Sequence, residues 1–205
     1  MIKIEADKLG KRFNHEWIFK NFSFTFDNNQ SFAITGPNGS GKSTLLQVLA
    51  GLIPQSSGNL IYSDQKIFPI DHIYKHISIT TPYQELIEEF TLLEFLNFHL
   101  KFRPLRGAIN GKDLAEILNL SKSLHKEIKN FSSGMKQKVK LGLSVYSNSP
   151  VIFLDEPTTN LDSKGIDWYF YEISQLMNNA ILIICSNQRF EYDFCKVQLH
   201  IENFK

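Results

Sequence analysis

Residues 36–44 carry the pattern G-x-x-x-x-G-K-[ST]. Glycines in such a turn let backbone N–H groups approach phosphate oxygens without a Cβ in the way. Lys42 would reach the β and γ phosphates, and Ser43 would offer its hydroxyl to Mg²⁺. The predicted ligand is therefore a nucleoside triphosphate with its magnesium ion. The residues expected to surround it are Gly36, Pro37, Asn38, Gly39, Ser40, Gly41, Lys42, Ser43 and Thr44.

Two adjacent carboxylates, Asp155 and Glu156, follow the apolar run 151–154. Asp155 would contribute to the ligand shell of Mg²⁺, and Glu156 could orient and deprotonate the water that attacks the γ-phosphate. Adjacent acids after a strand can also simply cap the next turn. The phosphate loop upstream favours the catalytic interpretation.

These residues need elements that position them. Residues 31–35 are apolar and predict a strand before the loop, and residues 42–50 predict a helix whose positive end faces the phosphates. The unbroken apolar runs 151–154 and 181–184 are typical of parallel strands covered on both faces. A helical stretch inserted at about residues 84–146 interrupts this α/β core.

The inserted stretch has a clear start. Thr91 and Glu94 form a capping-box pattern at a helix N-terminus. Before it, the chain reads as mostly β, because Phe22, Phe24 and Phe26 alternate with polar residues in the period-two pattern of a half-buried strand. The sequence thus predicts a mostly β layer around one helix in the first 80 or so residues, and helices from Thr91 to about Tyr146.

Composition excludes several classes of function. A formal net charge of +1 argues against a nucleic-acid binder, and Lys136, Lys138 and Lys140 are spaced as a solvated helix surface. Only two cysteines occur, and Cys185 lies in an apolar run, which indicates a reducing compartment. No stretch approaches the roughly 20 apolar residues that cross a bilayer. A partner would have to supply any membrane spans.

Residues 131–137 read FSSGMKQ and stand between the two nucleotide motifs. Here the chain resembles the ATP-binding cassette (ABC) ATPase family, in which the signature motif, usually Leu-Ser-Gly-Gly-Gln, has the same place. Ser132 and Gly134 match this motif, while the residues around them depart from it. The resemblance implies that the helix beginning here binds the γ-phosphate of ATP held by a second subunit.

The resemblance covers nearly the whole chain. Asp162, in Asn-Leu-Asp, matches the D-loop at the dimer interface, and Phe13 matches the aromatic residue that stacks on adenine, although Phe13 could also be a core residue. The implied fold class is α/β, a P-loop NTPase core of mostly parallel sheet with an N-terminal antiparallel β subdomain and an inserted helical subdomain. We expect one domain, with residues 1–83 and 147–205 in the core and β subdomain and residues 84–146 in the helical subdomain.

Two positions depart from the family pattern. Asn187 stands where the family has its switch histidine; it can donate an amide N–H to a phosphate but cannot carry positive charge, so we expect slower turnover. The Q-loop normally has a Pro-Gln pair, whereas here Gln84 comes two residues after Pro82. Either Gln84 reaches the metal or water completes the Mg²⁺ shell, and we favour water.

The expected function is that of the ATP-binding and ATP-hydrolysing subunit of an ABC membrane transporter. It would work as a head-to-tail dimer, attached to the inner face of the cell membrane through membrane-spanning permease subunits. The chain ends soon after Asn187, which resembles compact exporter-type cassettes and favours export. The alternatives are a soluble ABC ATPase with a non-membrane partner, such as iron–sulfur assembly, or a nucleotide-gated module with weak hydrolysis.

Overall fold

A computed structural model describes residues 2–27, 30–177 and 179–205 of the chain and divides it into two compact units. The first unit comprises Met1–Ile79, Ser149–Glu156 and Gln175–Lys205. The second comprises Thr80–Asn148 and Pro157–Ser174. The chain therefore leaves the first unit and enters the second directly after Glu156.

Strands, α-helices and short 3₁₀-helices make up the chain. The strands are β1 (Lys3–Phe13), β2 (Glu16–Phe26), β3 (Ser31–Thr35), β4 (Ser57–Ser63), β5 (Ile67–Phe68), β6 (Ile77–Thr80), β7 (Val151–Asp155), β8 (Ile181–Ser186) and β9 (Val197–His200). The α-helices are α1 (Lys42–Leu49), α2 (Leu92–Phe102), α3 (Gly111–Ile117), α4 (Ser133–Val145) and α5 (Ser163–Leu176). The 3₁₀-helices are Ile70–Lys75, Arg106–Ala108, Ser121–Ser123, Ile128–Asn130, Arg189–Glu191 and Ile201–Phe204.

The strands form two sheets. The first has the order β2-β1-β4-β5, and its pairs are antiparallel. The second has the order β6-β7-β8-β3-β9, in which β8 pairs in parallel with both β7 and β3. All residues of β3, β7 and β8 are buried, as their unbroken apolar runs require. The predicted α/β fold with an antiparallel β layer is confirmed.

One apolar cluster fills the first unit. It joins Leu45, Leu46 and Leu49 of α1 to residues of both sheets, including Phe153 and Ile183. Burying a leucine side chain contributes about 1.5–3 kcal/mol, so this face of α1 fixes the helix that follows the phosphate loop.

The second unit has its own apolar cluster, built mainly from α2, α3 and α4. The capping box at the start of α2 is present, with the Thr91 hydroxyl accepting from the Glu94 N–H at 3.3 Å and the Glu94 carboxylate accepting from the Thr91 N–H at 2.8 Å. At the start of α4 the Ser132 hydroxyl accepts from the Met135 N–H at 3.2 Å.

Within the described residues, no helix is both long and apolar enough to cross a membrane.

The α4 lysines lie at the surface, as interpreted, but they are partly buried and have partners. Lys136 forms an ion pair with Glu88, and the Lys140 ammonium donates to the Pro82 carbonyl at 3.0 Å. Burial lowers the pKa of Lys140. These partners lie about fifty residues or more earlier in the chain, so the spacing of the lysines could not reveal them.

Candidate nucleotide-binding site

The phosphate loop joins the buried strand β3 to α1. Lys42 is the first residue of that helix and is only 4% exposed. Its ammonium donates to the carbonyl oxygens of Gly36 and Pro37, each at 2.9 Å. The positive charge therefore lies over the loop's own backbone, where a phosphate group could take the place of these acceptors.

Gly41 is required by the geometry of the loop. Its φ is 103°, and a Cβ at this position would lie 2.5 Å from Cγ2 of Ile18. The neighbouring hydroxyl of Ser40 is buried and has no hydrogen-bond partner among the described residues. A buried polar atom of this kind needs a partner, and a phosphate oxygen would provide one.

Asp155 ends β7 and is 1% exposed. The pKa of Asp155 is raised to about 6, chiefly by burial; the hydrogen bond from Ser43 and the charge of Lys42 oppose the rise, and the nearby Glu156 and Glu191 contribute to it. Within the described part of the chain, Asp155 Oδ1 accepts no hydrogen bond. A cation would be a suitable partner for this buried carboxylate.

These groups fit a magnesium ion. Mg²⁺ takes oxygen ligands and is usually bound by one or two carboxylates together with substrate phosphates. The Ser43 hydroxyl and the free oxygen of Asp155 are such ligands and are neighbours. Among residues 2–27, 30–177 and 179–205 there is no group of three or more His, Cys, Asp or Glu side chains that could hold a metal ion.

Glu156 has an unusual backbone. Its φ is 44°, in the left-handed region that non-glycine residues rarely adopt, and such a residue costs about 1–3 kcal/mol. Its N–H donates to the Cys185 carbonyl at the end of β8, at 2.8 Å. This bond holds Glu156 at the carboxyl ends of β7 and β8, where Asp155 also lies.

Asn187 follows β8 and contacts the phosphate loop. Its side-chain N–H donates to the Asn38 side-chain oxygen at 2.7 Å, and both residues are exposed. Phe13, at the end of β1, is 50% exposed, with the Lys11 ammonium 4.9 Å from the centre of its ring. The core interpretation of Phe13 is therefore wrong, and its stacking on adenine stays a prediction.

The signature residues lie in the second unit. A Cβ at Gly134 would stand 2.7 Å from the Asn160 carbonyl oxygen, so the start of α4 touches the backbone of the D-loop segment. Ser132, Gly134 and Asp162 line one open cavity of about 500 Å³. A hydrogen bond from the Gly165 N–H and the charge of Lys138 lower the pKa of Asp162.

Gln84 also belongs to the second unit. Its side chain is exposed, and its backbone N–H donates to the Thr81 carbonyl at 3.2 Å. Whether Gln84 or water completes the metal shell stays a prediction.

Sequence reasoning missed two buried polar residues. Glu191 is completely buried and acts on the pKa of Asp155, although nothing in its local sequence signals this position. Gln137 was part of the signature stretch but was given no role. It is 3% exposed, and its side-chain N–H donates to the Pro157 carbonyl at 2.8 Å.

The chain is similar in sequence to known ATP-binding proteins. The ribose import ATP-binding protein RbsA of Lactococcus lactis is 30% identical over 94% of this chain, and the linearmycin resistance ATP-binding protein LnrL of Bacillus subtilis is 28% identical over 92%. The chain spans 41% and 62% of the lengths of these two relatives.

A solved structure shares the fold. The dimeric post-hydrolysis state of the ATP-binding cassette MJ0796, bound to ADP and Pi, superimposes with a TM-score of 0.81 at 22% identity, covering 97% of this chain and 96% of that one. The family model described as ABC transporter matches residues 19–159. Because this match covers more than half of the chain, the chain belongs to the ABC transporter family as an ATP-binding cassette.

Proposed function

We propose that the chain binds and hydrolyses ATP to drive membrane-spanning partner subunits. The observation that carries this proposal is the arrangement of Lys42 over the phosphate loop with Ser43 bonded to Asp155. This arrangement places a cation, Lys42, where it can bind phosphates and supplies two oxygen ligands for Mg²⁺. The next residue after Asp155 is Glu156, whose carboxylate can act as the general base.

Each residue has a defined task in this reaction. The loop amides and Lys42 bind the phosphates, and Glu156 takes a proton from the attacking water. The water oxygen forms a bond to the γ-phosphorus as the bond to the bridging oxygen breaks, which releases ADP and inorganic phosphate. Mg²⁺, held by Ser43 and Asp155, would supply charge neutralisation at the phosphates.

The proposal includes a head-to-tail dimer. Each nucleotide would lie between the phosphate loop of one subunit and Ser132, Gly134 and Asp162 of the other. The support is the helix that starts at Ser132 and borders an open cavity, because a helix N-terminus attracts anions. The structural relative bound to ADP and Pi is itself dimeric.

Membrane attachment would come from the permease subunits, at the inner face of the cell membrane. The two relatives divide between a ribose import protein and a linearmycin resistance protein. They do not favour one direction, so export stays a prediction of the sequence. A pull-down in detergent tests for the permease, and recovery of a soluble scaffold protein instead would favour the iron–sulfur type of alternative.

The primary test is ATP hydrolysis by the purified chain. We expect Mg²⁺-dependent turnover that Glu156→Gln abolishes, while that variant still binds ATP and sediments as a dimer. If the Glu156→Gln form loaded with ATP remained monomeric even with its permease supplied, the proposed dimer would be wrong.

A nucleotide-gated module with weak hydrolysis is the second candidate. It is favoured by Asn187, whose amide contacts Asn38 but cannot become charged. A measurement of ATP hydrolysis in a single turnover distinguishes the hydrolysing transporter subunit from the gated module, with Glu156→Gln as the control. A wild-type rate no greater than that of the control would favour the gated module.

A further inference from the structure

Gln137 is a buried side chain of α4 whose position was not explained by the nucleotide motifs. It is 3% exposed, and its side-chain amide donates to the Pro157 carbonyl at 2.8 Å. Pro157 is itself buried and has no N–H, so this carbonyl is its one backbone hydrogen-bonding group. Without Gln137 the carbonyl would lose its side-chain donor, which is costly in a buried place.

Pro157 directly follows Glu156, the residue with φ of 44°. The N–H of Glu156 donates to the Cys185 carbonyl, and the carbonyl of the following residue, Pro157, accepts from the Gln137 side chain. A residue in a sparsely populated backbone region persists only when its surroundings fix it. The strained glutamate thus lies between two hydrogen-bonded anchors.

We propose that Gln137 is a positioning residue for Glu156 and that it makes the position of Glu156 depend on α4. This inference rests on the proposed hydrolysis. In the proposed dimer the start of α4 meets the nucleotide of the partner subunit, so a shift of α4 is passed by the hydrogen bond of Gln137 to Pro157, the residue that follows the general base of its own subunit. Each subunit's base thereby responds to the nucleotide held at the other site.

The test is Gln137→Met, which keeps the length of the side chain and removes the amide. We expect kcat to fall about ten-fold, as loss of a buried hydrogen bond worth roughly 1.4 kcal/mol in the transition state would produce, with little change in KM for ATP.

Ser144→Ala is the matched control on the same helix. It removes another buried hydrogen bond, which Thr80 donates to Ser144 at 2.6 Å, away from Pro157. Both variants should lose similar stability in thermal unfolding, and Ser144→Ala should keep the wild-type kcat. An equal loss of kcat in the two variants would overturn the proposal.

A double-mutant cycle with Glu156→Gln gives the second readout. If Gln137 acts through Glu156, then adding Gln137→Met to Glu156→Gln will leave the residual rate unchanged. A further fall would show that Gln137 acts on something else. A wild-type chain without hydrolysis would overturn the proposed function and this inference together, whereas an active wild type with an equally active Gln137→Met would overturn this inference alone.

Discussion

Asn187 donates its side-chain amide to the Asn38 oxygen at 2.7 Å and so joins the end of β8 to the phosphate loop. The two residues are 149 positions apart in the chain. The contact places the residue that replaces the family's histidine beside the loop that would hold the triphosphate. Unlike histidine, Asn187 cannot gain or lose a proton near neutral pH.

Replacing Asn187 by histidine should therefore raise the rate of ATP hydrolysis. An imidazole can keep a hydrogen bond at this position and can also carry positive charge, which stabilises the transition state more than an amide does. The measurement is kcat for Asn187→His beside Asn187→Ala. A rate for Asn187→His that is unchanged or lowered would contradict the prediction.

Gly41→Ala should destabilise the phosphate loop far more than Gly39→Ala. Both glycines have positive φ, 103° and 73°, so both variants bear backbone strain of about 1–3 kcal/mol. Only a Cβ at Gly41 would collide with Ile18, because nothing lies within 4 Å of one at Gly39.

Chemical denaturation without nucleotide measures the difference between these two variants. The geometry predicts a lower free energy of unfolding for Gly41→Ala than for Gly39→Ala. Equal values would mean that Ile18 moves aside without cost.

Glu156→Gly should be more stable than Glu156→Gln, although neither should hydrolyse ATP. Glycine adopts a φ of 44° without the strain of about 1–3 kcal/mol that another residue bears there, and this relief exceeds the roughly 0.4–1 kcal/mol that the added freedom of the unfolded chain costs. Thermal unfolding of the two inactive variants measures the difference. A glycine variant no more stable than the glutamine variant would show that the backbone is not strained at this position.

The local parts of this structure could be predicted because their causes are local. The capping box of Thr91 and Glu94, the glycines of the loop and the apolar runs of β7 and β8 are each decided by neighbouring residues. The same holds for the hydroxyl of Ser132 at the start of α4. Short-range sterics and hydrogen bonding fix such features before tertiary contacts form.

The remaining features depend on partners far along the chain. The contact between Asn187 and Asn38 and the bond from Gln137 to Pro157 join segments that only the fold brings together. The positive φ of Glu156 follows from such contacts and not from the preference of glutamate. The sequence shows that Asn187 and Gln137 carry side-chain amides that can donate hydrogen bonds. Only the structure shows which acceptors these amides reach.

The central claim is that each ATP binds between two chains, in contact with the phosphate loop of one and the signature helix of the other. An experiment that mixes two inactive variants tests this claim most directly. Lys42→Met removes the cation of the phosphate loop, and Ser132→Arg blocks the signature helix of the facing subunit. Each variant alone should be inactive, because every site in its dimers is damaged. A mixed dimer holds one site with both parts intact, so combining the two variants should restore ATP hydrolysis. A mixture no more active than the sum of the separate variants would contradict the account.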